Sequence, residues 1–160
     1  MDNINYEDLL KDLSKQEETL QFQSFTNDMA LEIGLSIVKR AKELNKVITV
    51  DITKNRQQIF HYSFEGTSPD NDDWVKRKSN IVNRFNRSSY YIGIQLTVLG
   101  KTLEEKYYIS PFEYATFGGA FPITVKNVGV IGTITVSGLP HAEDHKLVVE
   151  TISEYLGLKQ

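Results

Sequence analysis

The 160-residue chain contains no cysteine. That excludes disulfide staples, thiolate metal sites, iron–sulfur clusters and a cysteine nucleophile. It has no apolar run long enough to cross a bilayer. Its start, Met1-Asp2-Asn3-Ile4-Asn5, is acidic and polar where a secretory signal would be basic and then apolar. Net charge is nearly absent, 18 Lys and Arg against 21 Asp and Glu giving −3, which argues against nucleic acid as the main partner. No repeat, low-complexity tract or linker divides the chain. The expectation is one cytoplasmic domain spanning 1–160, with no membrane and no nucleic-acid partner. With 40% apolar and 24% charged residues, such a chain can bury a core without metal or disulfide help.

Periodicity then assigns elements. Tyr6, Leu9, Leu10 and Leu13 share one face of a helix over 6–19. Thr26-Asn27-Asp28 opens a second helix that Asn45 ends. Its apolar residues Leu31, Ile33, Leu35, Ile37, Val38, Ala41 and Leu44 are too many for one stripe, so it is expected to lie centrally. Val47 to Ile52 and Ile59 to Phe64 alternate about a turn at 54–57, which reads as an antiparallel hairpin. The loop Gly66 to Asp73 leads into a helix carrying Trp74, Lys78, Ile81, Val82 and Phe85 on one face, with Arg84 and Arg87 at its C-terminal end. Ser88 to Leu99 has strand-like composition. Lys101 to Lys106 reads as exposed and polar. Ile123 to Val125 and the β-branched run Val128 to Val136 are strands, the latter the best candidate for a central one. A last helix opens at Ser137-Gly138-Leu139-Pro140 and closes at Gly157.

Few residues carry chemistry. His141 and His145 lie four apart at a helix start, with Glu143 and Asp144 between them, a spacing open to a divalent metal but also to an ordinary solvated first turn; the solvated turn is preferred, and no metal is expected. His61 reads as a packed or hydrogen-bonded strand residue. Ser137-Gly138 and Gly118-Gly119 can expose backbone N–H groups or let a ligand approach closely. Trp74-Val75-Lys76-Arg77-Lys78 is the densest positive cluster, either an anion clamp or a core indole among solvated bases. No serine, histidine and acid stand out as a nucleophilic triad.

Three stretches taken together resemble one family: Phe64 through Lys78, Gly118-Gly119-Ala120-Phe121-Pro122-Ile123, and Gly129 through Ser137-Gly138-Leu139-Pro140 to Glu143-Asp144-His145. They look like a small branch of the haem-degrading-domain family, related to the GlcG/HbpS-like proteins, and the likeness covers nearly the whole chain. It implies an α+β fold, a three-layer α/β/α-type domain with a central antiparallel sheet of about four to five strands, usually assembled as a homo-oligomer. It also favours a helix for Ser88 to Leu99. Some relatives bind haem or its degradation products, so haem is a possible cofactor. Phe117, just before the glycine pair, cannot ligate iron, which weakens that case. The pocket that the matching motifs imply comprises Asn71, Trp74, Arg77, Lys78, Gly118, Gly119, Phe121, Ser137, Asp144 and His145. The leading expectation is an oligomeric protein binding a small anionic ligand, with a tetrapyrrole as one case. The alternatives are an enzyme using His145 and Asp144 as acid–base or metal-binding groups, and an adaptor acting through its assembled surface.

Overall fold

The computed structural model describes residues 3–158. Strands β1 (Thr49–Lys54) and β2 (Gln57–Ser63) form the expected hairpin. Asn55 and Arg56 turn it with φ of 49° and 68°, the two positive angles that a two-residue turn matched to strand twist requires. Strands β3 (Ala120–Val125) and β4 (Gly129–Ser137) form a second hairpin turned at Asn127. The two hairpins join through β1 and β4, so the sheet runs β2-β1-β4-β3 and is antiparallel throughout. As its β-branched content implied, β4 is internal.

One face of this sheet is apolar. Ile48, Val50, Ile52, Ile123, Ile134 and Val136 are buried there against Ile33 and Ile37 of α2 (Asn27–Glu43) and Leu147, Val148 and Ile152 of α6 (His141–Tyr155). Burying each such side chain contributes about 1.5–3 kcal/mol relative to leaving it in water. Gly34 lets α2 settle close to the sheet, because a side chain there would occupy the space of the Phe60 ring. The expectation of a centrally placed α2 is corrected. Only Ala30, Ile33, Gly34, Ile37 and Ala41 are buried, while Leu31, Leu35 and Leu44 are 49%, 54% and 54% exposed. The helix is an outer layer that buries one stripe, and its extra leucines face away from it.

The opposite face carries α3 (Pro69–Phe85), started by a reciprocal cap between Ser68 and Asn71. Past α3, Ser88 accepts from the Tyr91 N–H and starts α4 (Ser89–Leu99), so this stretch is a helix. The segment 101–106 is polar and exposed as expected, Leu103 apart. A Thr102–Glu105 cap starts α5 (Leu103–Tyr107), and Leu103 is buried with Ile81, Ile92 and Leu96 in a second small core. The first helix, α1 (Tyr6–Thr19), docks on α4 through Glu17, which accepts from the Ser88 N–H at 2.6 Å and from Arg87 at 3.0 Å. Arg87 thus serves α1, and α3 ends instead on Asn86 in a left-handed conformation. Helices on both faces of one antiparallel sheet make the three-layer α+β architecture.

Candidate functional site

The N-terminus of α6 and the middle of α3 meet at one end of the sheet. There the Lys78 side chain, only 2% exposed, crosses the end of β4. Its Nζ donates to the Gly118 carbonyl at 3.0 Å, the Val136 carbonyl at 2.5 Å and Asp144 Oδ2 at 3.2 Å. Three acceptors match the three N–H groups of an ammonium. Asp144 uses its other oxygen to accept from the Leu139 N–H at 3.0 Å, which ties α6 to the turn before it. Loss of water dominates both groups: it lowers the Lys78 pKa and lifts the Asp144 carboxyl to about 6 against the pull of the ammonium. The ammonium of Lys78 is therefore committed to holding α3, β4 and α6 together.

Beside this clamp opens a cavity of about 300 Å³. The first turns of α3 (Asp70, Asn71, Trp74) and of α6 (Leu139, His141, Asp144) both line it, with Lys78 and Ser137 below. The starts of two helices thus border one space, and a helix start carries free N–H groups and a positive dipole end. One wall is aromatic: the Trp74 and Phe117 centroids lie 5.5 Å apart, and Phe117 lies 5.5 Å from His141. The Arg77 guanidinium stacks over the indole at 4.1 Å and is steadied by Asp73 at 2.9 Å.

His141 has its tautomer set by the backbone. Its Nδ1 accepts from the Gly118 N–H at 3.2 Å, so a neutral ring carries its proton on Nε2. Burial, and then the Lys78 charge, lower its pKa and keep it neutral. The ring therefore offers an N–H donor.

Of the residues chosen from sequence, Asn71, Trp74, Lys78, Ser137 and Asp144 line this cavity, and Arg77 covers its indole wall. Gly118 and Gly119 lie buried behind it; Gly119, at φ 135°, leaves room where a side chain would strike the Val136 carbonyl and Lys78 Nζ. Phe121 and His145 lie elsewhere. Phe121 is in the apolar core, and His145 points from another side of α6 toward Gln16, its Nε2 2.7 Å from Gln16 Oε1. The indole and guanidinium meet, but the imidazole that joins them is His141. From sequence His141 reads as part of a solvated first turn or as half of a metal pair, and nothing local marks Phe117 as a wall. Asp144 and His145 face different surroundings and form no joint acid–base group. Among the described residues, no group of three His, Asp or Glu is arranged to hold a metal ion.

His61 Nδ1 is hydrogen-bonded to Asp51 at 2.9 Å, and Nε2 lies 3.1 Å from an Asp72 carboxylate oxygen, so the ring sits between the β1–β2 hairpin and α3. Ser63 Oγ lies 3.5 Å from Nε2, giving a serine, histidine and aspartate in sequence along the sheet. Asp72 is nearer to that nitrogen, and Ser63 already accepts from Thr49 at 3.0 Å, so the serine is not activated.

Residues 25–153 match the family described as haem degrading protein HbpS-like. The chain belongs to this family. A UPF0303 protein of Serratia proteamaculans is 44% identical over 155 residues, 97% of this chain and 96% of that one. The crystal structure of the Ybr137w protein superposes with a TM-score of 0.86 at 31% identity, covering 92% of this chain and 87% of that one. A crystal structure of a PduOC:haem complex shares the fold, with a TM-score of 0.67 at 16% identity over 82% and 94% of the two chains.

The family description raises haem, and the histidines here do not fit it as iron ligands. His141 presents a proton rather than a lone pair. His145 donates Nε2–H to Gln16 and has Nδ1 enclosed. Both nitrogens of His61 are engaged by carboxylates. No step of iron chemistry is assigned to these residues.

Proposed function

We propose that this chain is a binding protein for a small anionic molecule with a flat body, held in the cavity between the starts of α3 and α6. The convergence of the two helix N-termini on a partly aromatic space carries this reading. An anionic group meets N–H donors and two positive dipole ends, each dipole end contributing up to about 1 kcal/mol. The His141 N–H adds a donor, and the flat body lies along Trp74 and Phe117. At about 300 Å³ the cavity is at the small end of ligand sites. A tetrapyrrole, as in the haem complex that shares this fold, would be held here through its carboxylates. Self-association belongs to the same reading: Tyr108 and Phe112 are 90% and 89% exposed, as residues covered by another copy would be. Light scattering on the purified chain tests it, and a monomer mass would refute it.

Trp74 is the only tryptophan, so its emission reports this cavity directly. Benzoate, phthalate, inorganic phosphate and haemin can be titrated while emission and melting temperature are followed. At least one aromatic carboxylate should give a saturable change and a higher melting temperature. His141→Ala should weaken it about tenfold or more, the effect of losing a hydrogen bond to a charged group. If no probe alters emission or melting, or if His141→Ala binds as tightly as the parent, the reading fails. A Soret shift that disappears in His141→Ala would show iron ligation by that ring and overturn the tautomer argument.

A further inference from the structure

The two edges of the sheet differ. On β3 the outer backbone groups are taken: the Thr124 carbonyl accepts from the Phe22 N–H at 2.8 Å, and the Lys126 N–H donates to the Phe22 carbonyl at 2.9 Å. Pro122, in the same strand, has no N–H to offer. Strand β2 forms the other edge, and among the described residues no strand lies beyond it. Five of its seven residues are exposed. The Phe64 N–H donates to the Ile48 carbonyl at 3.0 Å, which fixes the phase of the ladder. Phe60 and Tyr62 therefore bond inward to β1, while His61 and Ser63 turn their N–H and C=O groups outward. The register skips Ile59, so the run is regular from Phe60 to Ser63, and neither Lys nor Pro guards it.

The helix packed on this strand adds an apolar flank. Gly34 of α2 faces the Phe60 ring. One side of α2 is held by α6, through Arg40 with Glu150 and Glu154 and through Glu32 with Tyr155. At about 100° per residue, Leu31 and Leu35 fall on the opposite side, over the β2 edge, and both are half exposed. Tyr62, on the same face of β2 as Phe60, is exposed too. Leu35 is the middle residue of the 17 in α2. Asp28 and Lys42 lie equally far before and after it, both exposed and neither ion-paired among the described residues.

We propose that the β2 edge and the Leu31–Leu35 flank form one surface on which a second copy of this chain docks about a two-fold axis. An antiparallel α2 pair centred on Leu35 stacks that leucine on its twin and sets Asp28 opposite Lys42 of the partner subunit, twice over. Beneath the helices the β2 strands pair antiparallel through the outward groups of His61 and Ser63, and the sheet runs on across both chains. An unrelated extended peptide would satisfy the strand edge but leave the leucines bare and both charges unpaired. This surface goes beyond the contact over Tyr108 and Phe112, which flank the small core beside α3 on the other face of the sheet.

The chain has no cysteine, so Leu35→Cys introduces a single thiol, placed on the axis. Treated with a short bismaleimide, the full-length variant should run as a covalent pair and go no further. Ser36→Cys, about 100° round the helix, should stay single. Asp28→Lys sets like charges across the axis and should weaken association about tenfold in analytical ultracentrifugation; adding Lys42→Asp should recover it. Ser63→Pro removes one outward N–H without breaking the β1 ladder, and should weaken association at unchanged circular dichroism. The proposal is overturned if the parent sediments as a monomer, if the two cysteine variants cross-link alike, or if Lys42→Asp recovers nothing. A parent that associates while Leu35→Cys stays single overturns it and leaves the Tyr108 contact standing. None of these results bears on the ligand of the Trp74 cavity.

Discussion

His145 should make the folded chain sensitive to mild acid, in a way that a second group partly hides. Its pKa falls from 6.5 to about 3 on folding, chiefly because the ring is 4% exposed and loses water. A base with a depressed folded pKa binds protons only in the unfolded chain between those values. Its contribution is therefore present above pH 6.5 and is lost as pH falls, at about 1.4 kcal/mol per unit. From pH 7 to pH 5 the loss is about 2 kcal/mol. Asp144 acts in the opposite sense. Its carboxyl rises from 3.8 to about 6, so the folded chain takes up a proton as pH drops through 6 and gains roughly 1.4 kcal/mol by pH 5. The parent curve should look nearly flat over this range, and only a difference exposes the histidine. Urea unfolding of the parent and of His145→Gln, which keeps a polar partner for Gln16 but does not titrate, should be measured at half-unit steps from pH 7.5 to 5. The variant should gain on the parent by about 2 kcal/mol on going to pH 5. Parallel curves across the range would refute the reasoning.

Three further outcomes follow from the clamp and its surroundings. Lys78→Met leaves Asp144 with backbone N–H partners alone and should cost about 3–5 kcal/mol in urea unfolding; with Asp144→Leu added, the pair should cost clearly less than the sum of the single changes. Gly119→Ala combines a φ of 135° with a collision against the Val136 carbonyl and should cost more than about 2 kcal/mol, whereas Gly100→Ala, at φ 64° in open space, should cost about 1 kcal/mol. Glu17→Ala strands the buried Ser88 N–H and frees Arg87, so hydrogen exchange should accelerate throughout α1 and stability should fall by about 2 kcal/mol.

Elements whose stabilising contacts are local were legible from sequence. The Thr26 cap of α2 and the turn at Asn55 each follow from neighbouring residues, whereas α3 starts at Pro69, inside the stretch that reads as a loop. The failures came where a distant partner decides. Arg87 looked like a cation for its own helix end, but Glu17, seventy residues away, claims it. Leu31 and Leu35 counted toward burial because composition cannot tell which face of α2 meets the sheet. The candidate site divides in the same way. Its motif residues were identifiable as a group, but Lys78 read as a ligand clamp because the acceptors that occupy it are backbone carbonyls at 118 and 136, which leave no mark in a sequence. The exchange of His145 for His141 has the same origin, since the Gly118 N–H and Gln16 fix those two rings.

The two faces of the sheet divide stability from positioning. Alternate residues of β1 and β4 place Ile48, Val50, Ile52, Ile134 and Val136 toward α2 and α6, and this face supplies the apolar burial. The residues between them are Thr49, Asp51, Thr53, Thr133, Thr135 and Ser137, so α3 lies on hydroxyls and a carboxylate. Apolar contacts are non-directional, and a helix on an apolar face can settle in several registers. Here Ser79 Oγ lies 2.8 Å from Thr135 Oγ1, Asp72 meets His61 at 3.1 Å, and Lys78 reaches the Val136 carbonyl at 2.5 Å. Three directional contacts along one helix admit a single register, and that register brings Trp74 to the start of α6. The Thr135 and Lys78 contacts each leave a buried group unpaired if α3 slides by a turn, at roughly 1–3 kcal/mol apiece. Replacing Thr135 with Val should therefore loosen the Trp74 wall more than it lowers stability, because the valine adds apolar burial while it removes the directional contact.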